Sequence, residues 1–307
     1  MERFYKFSSY LKEKYNNRVQ KITIDAGFTC PVRDGNLSMS GCFYCNSSGS
    51  GNDMSGLPVN EQIENQMKYY DKKYNNPLYI LYFQAFTNSY DNTENLIELY
   101  NYVYKYNNII SLAIGTRPDC ISNSLLEHLS KINRDKEVWI EVGLESANIT
   151  TLNKIGRMHG IASFVDAITR INHYNLKSCV HIIFGIPFDT SGDMLESIKL
   201  CSVLKVDAIK IHSFYIEKGT VFEDIYRKRQ LRLLSQNKYI EIVCNALRYL
   251  NKSTIIQRLT GDPDRKMLIA PQWTLDKHRT LNMIDNYMEE HDFIQGDLSS
   301  FNYVEKH

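Results

Sequence analysis

A chain of 307 residues has room for one large domain or two ordinary ones, and a hydrophobic share of 43% allows a substantial core. Its 36 Lys and Arg against 35 Asp and Glu leave a formal charge of +1, which excludes a global pull toward nucleic acid; any RNA-binding surface must be local. No run approaches the ~18 apolar residues of a membrane span, and the N-terminal Met1-Glu-Arg-Phe-Tyr-Lys6 lacks an apolar signal core. Seven cysteines, an odd number without paired spacing, argue against a secreted disulfide framework, so a cytoplasmic location is expected.

Residues 1–20 carry Tyr5, Phe7, Tyr10, Leu11 and Tyr15 among Lys6, Lys12, Lys14 and Arg18, and read as an amphipathic helical lead-in. Lys21–Asp25 reads as the first strand, followed by a loop rich in Gly, Ser, Asp and Pro. The polar stretch Ser47–Gly56 is expected to be a flexible connection, and helical periodicity resumes over Val59–Tyr74. Strand patterns at Leu78–Gln84, Ile109–Gly115, Val138–Gly143, Ser178–Phe184 and Ala208–Ser213 then alternate with helical patterns at Thr93–Tyr106, Ser122–Ile132, Ile161–His173 and Asp193–Leu204. That alternation predicts a parallel sheet with crossover helices. Six strands are too few for a complete barrel. They predict an α/β fold, a partial (β/α)6 TIM-like barrel over residues 21–219, with its chemistry at the C-terminal ends of the strands. From residue 220 the pattern changes: a basic cluster at Arg227–Arg232, a helix over Lys238–Leu250, a strand over Thr254–Leu259 and a helix over Leu281–Glu290. Residues 220–307 are expected to form a C-terminal α/β extension that covers the open side of the barrel.

Cys30, Cys42 and Cys45 stand at C-x11-C-x2-C in the loop after the first strand. A structural zinc takes four protein ligands in a closed tetrahedron, whereas a four-iron cluster held by three thiolates leaves one iron open. With no second C-x2-C pair downstream, the trio fits a [4Fe-4S] cluster better than zinc, which stays the alternative. Cys120, Cys179, Cys201 and Cys244 are single residues in apolar segments and read as small buried hydrophobes.

The strand ends are polar or contain glycine: Gln84, Gly115-Thr116-Arg117, Gly143-Leu144-Glu145-Ser146, Gly185-Ile186-Pro187 and His212-Ser213. Arg117 precedes Pro118, which disfavours a helical conformation there. With Thr116 it suits a carboxylate or phosphate, an ordinary surface ion pair being the competing reading. Glu141, Gly143 and Glu145 share one face of their strand, the interior face if Trp139 points there too. A buried carboxylate needs a partner. The turn at Ile186 would let backbone approach an adenine. His181 reads as a satisfied interior histidine that also has a route to the substrate; His212, Gln257, Asp262 and Arg265 are substrate-side candidates.

The cysteine loop resembles that of radical S-adenosylmethionine enzymes, in the long-spacer variant shared with the Elp3-like group, and the chain is most similar to the YhcC/YtqA (MnmL) family. Tyr82–Tyr90, Ile114–Asp119, Val180–Pro187, Arg258–Asp262 and Leu268–Pro271 carry the rest of the likeness, which covers nearly the whole chain. The resemblance implies two cofactors, a [4Fe-4S] cluster on Cys30, Cys42 and Cys45 and S-adenosylmethionine on the open iron. It places Gln84 where the superfamily has a Gly-Gly-Glu-like stretch that holds the methionine amino group, and Arg157 where related enzymes pair the methionine carboxylate. It places Ser146 at the ribose, and gives Glu141 and Glu145 the ribose hydroxyls or the ammonium group as partners. The family usually shows Gln at position 145 and often His at position 257, so Glu145 adds a charge and Gln257 departs from any proton-transfer role. The implied partners are tRNA, an electron donor such as flavodoxin or ferredoxin, and a downstream tRNA methyltransferase. The implied reaction is conversion of 5-carboxymethylaminomethyluridine to 5-aminomethyluridine at the wobble position. The competing readings are a radical enzyme acting on a protein or small metabolite, and a non-catalytic metal-binding module.

Overall fold

The computed structural model describes residues 2–46, 49 and 56–299. The expected connection Ser47–Gly56, apart from Gly49 and Gly56, and the tail from residue 300 lie outside them. Helix α1 (Phe7–Tyr15) leads into β1 (Val19–Ile24); after the cysteine loop come α2 (Val59–Lys73), β2 (Leu78–Phe83), α3 (Thr93–Tyr100), β3 (Ile109–Thr116), α4 (Asn123–Ile132) and β4 (Glu137–Glu145). Then follow α5 (Ile149–Lys154), α6 (Ile161–His173), β5 (Lys177–Phe184), α7 (Ser191–Val203), β6 (Ala208–Ser213), β7 (Ile216–Glu217), α8 (Val221–Arg227), α9 (Gln236–Leu247), β8 (Ile255–Arg258), β9 (Leu268–Ala270) and α10 (Lys277–Glu290).

Strands β1 to β6 pair in chain order, all parallel, and β8 joins β6 in the same sense. The sheet therefore has seven strands, one more than the six expected for the barrel. The extra strand comes from the C-terminal region, which continues the sheet beyond β6. The expected helix over Thr93–Tyr106 stops at Tyr100 and continues as a tighter turn over Asn101–Tyr104. The short α5 and α8 and the antiparallel β7–β9 pair are too brief to show a period in sequence.

Alternation places two different sets of side chains on the two faces of the sheet. The outward set, including Leu81, Phe83, Leu112, Ile114, Val138, Val142, Val180 and Ile209, packs under the crossover helices. The helices answer with residues three and four apart, Leu125, Leu129 and Ile132 in α4 and Phe164, Ile168 and Ile171 in α6. Each such side chain contributes about 1.5–3 kcal/mol on burial. Ser122 caps α4 by accepting from Leu125 N, and Thr190 and Asp193 form a reciprocal capping box at α7.

The inward set reports the curvature. In a flat seven-stranded sheet the edge strands β1 and β8 would stand ~29 Å apart. Instead Lys21 of β1 donates to Gln257 of β8 at 2.9 Å, and Lys210 of β6 reaches the Tyr82 hydroxyl of β2 at 3.3 Å. The sheet is thus curled into a partial barrel. Helix α1 seals its lower end, where Phe7 and Tyr10 set their rings edge-on to Trp139, with centroids 6.2 and 5.9 Å away. Trp139 faces inward, so Glu141, Gly143 and Glu145 do as well. Of the four scattered cysteines, Cys179, Cys201 and Cys244 are buried as expected; Cys120 is only half-buried, because the turn after Pro118 carries it to the rim.

Candidate active site

The cysteine loop closes through its own backbone. Arg33 N donates to Cys30 O at 2.8 Å and Gly41 N to Val32 O at 2.7 Å, which folds Cys42 back toward Cys30. Cys45 N then turns onto Cys42 O at 3.0 Å. The Arg33 guanidinium spans the loop and donates to the carbonyls of Cys45 and Asn46. At its far side the loop is fastened to the end of α5, Phe43 N donating to Ile155 O at 3.0 Å. Gly156 makes this approach feasible: its φ is +69°, and a Cβ there would sit 3.2 Å from both Gly41 O and the Phe43 ring. Cys30, Val32 and Cys42 pack with Tyr44, Cys45 and Phe86 in one apolar nest. Cys30 Sγ accepts from the Thr87 hydroxyl at 3.1 Å, and Arg157 Nη1 lies 3.8 Å from Cys42 Sγ. Burial, with Cys42 and Cys30 close by, pushes the Cys45 thiol up to about 11 despite Arg33. Three thiolates in such a place need a positive centre among them, which an iron cluster provides.

One strand layer above the barrel floor, β4 ends in a bulge that puts Glu145 at φ +66°. Its carboxylate faces Arg157, whose Nη2 is 3.4 Å from Glu145 Oε1 and donates to Gly143 O at 3.1 Å. Gly143 must lack a side chain, because a Cβ would fall 2.4 Å from each of these two groups. Burial raises the Glu145 carboxyl above its ordinary range against the pull of Arg157. Arg117 is 2% exposed and grips Asp119 with Nε and Nη2 at 2.9 and 2.8 Å. It is a buried arginine, not a surface ion pair. Arg157 Nε and Arg117 Nη1 are both buried without a partner among the described residues. Thr116 shares its hydroxyl with Ser89, and Gln84 lines the same cavity. Ser146 and Ile186 do not line it: Ser146 is fully buried and donates to Asp189 at 3.1 Å, and Ile186 packs in the cluster around Phe214 and Phe222.

Deeper in the barrel, the partners of Glu141 are protein side chains. Lys21 Nζ lies 3.2 Å from Oε1, and Lys210 Nζ and His181 Nε2 meet Oε2, the histidine at 2.9 Å. Burial works against the charge, but the two ammonium groups and the imidazole outweigh it and hold the carboxyl well below its ordinary range. Sequence reasoning missed Lys21 and Lys210. Their signal was a lone cation in phase with the inward residues of an apolar strand, as in Ala208-Ile-Lys-Ile-His212. His212 and Gln257 face the same space, Asp262 lies at its edge paired with Arg258 and Lys277, and Arg265 is outside the lining.

All of these layers open into one cavity of about 2080 Å³, where a pocket for a single drug-sized ligand holds roughly 300–1,000 Å³. The family model of the radical SAM superfamily matches residues 35–201, and that of the Radical_SAM C-terminal domain matches residues 206–290. This chain belongs to the radical SAM superfamily. The uncharacterized protein YtqA of Bacillus subtilis (strain 168) is 32% identical over 96% of the chain and 92% of its own length. Protein YhcC of Escherichia coli (strain K12) is 29% identical over 93% of the chain and 92% of its own length. Among solved structures, the archaeal Methanocaldococcus infernus Elp3 superposes with a TM-score of 0.67 at 15% identity; the match covers 91% of this chain and 64% of that one. Members of this superfamily use a [4Fe-4S] cluster and S-adenosylmethionine. The residues present fit both: three clustered thiols for the cluster, Cys30 and Cys42 buried and Cys45 half-buried, and two buried arginines with an unpartnered N–H for a carboxylate. No described helix is long and apolar enough to cross a membrane.

Proposed function

We propose that this radical SAM enzyme modifies tRNA at the wobble uridine, converting the 5-carboxymethylaminomethyl group to 5-aminomethyl. The observation that carries the reading is the charge of the cavity. Its lining holds ten Lys or Arg against six Asp or Glu, in a chain whose total is only +1. Four of those ten come from the start of α1, α1 itself, the start of β1 and the start of α10: Lys6, Lys12, Arg18 and Lys277, with Lys6 beside Asp285 and Lys277 beside Asp262. A local surplus of cations around a deep cavity suits a polyanion that delivers one extruded base.

Within that cavity Cys30, Cys42 and Cys45 would hold the cluster, which when bound would supply the electron for reductive cleavage of S-adenosylmethionine. Arg157, fixed by Gly143 O and Glu145, presents its free Nε edge to the methionine carboxylate, and Arg117 adds a second cation. Gln84 and Thr116 close the neighbouring strand ends toward the amino group, and Glu145 accepts from it or from the ribose. Ser146 and Ile186 act from behind, as the wall that holds the bulge in place. Helix α1 and the Trp139 layer exclude water from below. A flavodoxin or ferredoxin supplies electrons, and a tRNA methyltransferase takes the product.

The test has two parts. Protein reconstituted without air, with reductant and S-adenosylmethionine, is expected to release 5′-deoxyadenosine. tRNA from cells lacking the protein is expected to lose 5-aminomethyluridine and its methylated derivative while the carboxymethylaminomethyl form accumulates. Unchanged wobble nucleosides in an organism that makes the product would remove tRNA from the proposal.

A further inference from the structure

The floor of the cavity carries more positive charge than its own carboxylate answers. Glu141 is 1% exposed, and both its oxygens are taken, Oε1 by Lys21 and Oε2 by Lys210 and His181. It is the sole acidic partner of either ammonium group among the described residues. Beyond it, Lys21 has the neutral amide oxygen of Gln257 at 2.9 Å, and Lys210 has the Tyr82 hydroxyl and ring face. Two cations, Lys210 buried and Lys21 part-buried, therefore share one anion, which is costly in a confined site. Beside them the His212 ring lies 5.2 Å from that of His181, and its Nε2 is buried with no partner. Glu141, Cys179 and His181 bring three donor atoms within 4.8 Å of one another, the spacing of a metal site. Two ammonium groups already on the carboxylate make that spot repel a cation.

We infer that this belt is a carboxylate-binding subsite: a substrate carboxylate seats between Lys21 and Lys210, with the His212 ring donating from Nε2, and Glu141 is the resident carboxylate that shares the two ammonium groups with it. The subsite deepens the tRNA reading and rests on it for the identity of the ligand, since the carboxymethylaminomethyl arm ends in a carboxylate. The depth suits such an arm. Glu141 lies two residues, ~7 Å along β4, below the Gly143 layer over which Arg157 is stretched. An acid anchored on the floor thus holds the carbon and nitrogen atoms of its arm up toward the cofactor layer.

The experiment uses the full chain reconstituted with its cluster and two probes, carbon-13-labelled N-methylglycine and its primary amide, which keeps the ammonium group and lacks the carboxylate, followed by NMR titration. The acid is expected to bind saturably and the amide not at all over the same range. Glu141→Gln, which removes the competing carboxylate, is expected to tighten the acid by about tenfold, and Lys210→Met to weaken it by about tenfold. Because Lys210→Met leaves Glu141 short of a partner, the double variant Glu141→Gln/Lys210→Met serves as the second measurement and is expected to bind more weakly than Glu141→Gln alone. Equal binding of acid and amide, or no tightening in Glu141→Gln, overturns the subsite. Acid binding together with unaltered tRNA in cells lacking the protein overturns the tRNA reading and leaves the subsite standing. Altered tRNA with no acid binding does the reverse.

Discussion

Gly143→Ala isolates the role of Arg157 without touching the arginine itself. A Cβ at position 143 would lie 2.4 Å from Arg157 Nη2 and 2.4 Å from Glu145 Oε1, where ordinary contact begins near 3.4 Å. The groups must move by roughly 1 Å, beyond hydrogen-bond reach of Gly143 O. That ends the 3.1 Å bond to Gly143 O, loosens the 3.4 Å ion pair and displaces the guanidinium from its place in the cavity. Overpacking costs about 1–3 kcal/mol. The reduced freedom of alanine in the unfolded chain offsets about 0.4–1 kcal/mol of this, because Gly143 does not hold a positive φ. The variant should fold, with a melting temperature lowered by no more than about 10 °C. Losing one charge-assisted bond to the methionine carboxylate is worth about 1.5–3 kcal/mol, so affinity for S-adenosylmethionine should fall about 10–150-fold. Equilibrium dialysis of labelled S-adenosylmethionine against anaerobically reconstituted protein reads this directly. Gly115→Ala is the control: its Cβ meets Phe83 O at 3.3 Å and displaces no ion pair. A folded Gly143→Ala protein that binds S-adenosylmethionine as the parent does would refute the assignment of Arg157.

Gly156→Ala should act on the cluster, not on the second cofactor. Its positive φ costs alanine about 1–2 kcal/mol, and its Cβ presses the cysteine loop through Gly41 and Phe43. Iron and sulfide analysis after reconstitution should show a lower cluster content than in Gly143→Ala at matched stability. Lys210 predicts an alkaline signature. Burial, and Lys21 nearby, push its ammonium down to about 8 from 10.5 despite Glu141. Between those values the unfolded chain holds the proton and the folded chain has lost it, so the contribution of Lys210 to stability rises with pH there. Relative to Lys210→Met, the parent should gain roughly 1–3 kcal/mol from pH 8 to 10.5 in denaturant titrations. Glu141 has the opposite direction of loss. Its depressed carboxyl stabilises the fold above the ordinary carboxylate range, and that stability disappears as pH falls through the folded value; Glu141→Gln should flatten the acid limb of the same titration.

Much of the site was legible as residue types in order. Cys30, Cys42 and Cys45 mark the loop because thiols at that spacing have few uses. The face shared by Glu141, Gly143 and Glu145 follows from the two-residue period of a strand, and the interior position of Trp139 bears it out. Local pattern also placed helix α6 and strand β6 at their observed bounds, since each is an amphipathic or apolar run closed by turn residues. Cys120 escaped the same logic. An apolar neighbourhood in sequence says nothing of where a turn after Pro118 will point a side chain.

The sequence by itself therefore determined the alternating strand–helix order, the cysteine trio and the polar strand ends, because each is written within a few consecutive residues. Closure decided the rest. Lys21, Tyr82, Glu141, Lys210 and Gln257 lie on five different strands and as much as 236 positions apart. Only the curl of the sheet brings them within bonding distance, and only there does Glu141 find two ammonium groups in place of one. The fastening of the cysteine loop at Gly156 and the surplus charge of the cavity are likewise products of how strands meet. Curvature is the sum of small twists over seven strands, and no short stretch of chain encodes such a sum.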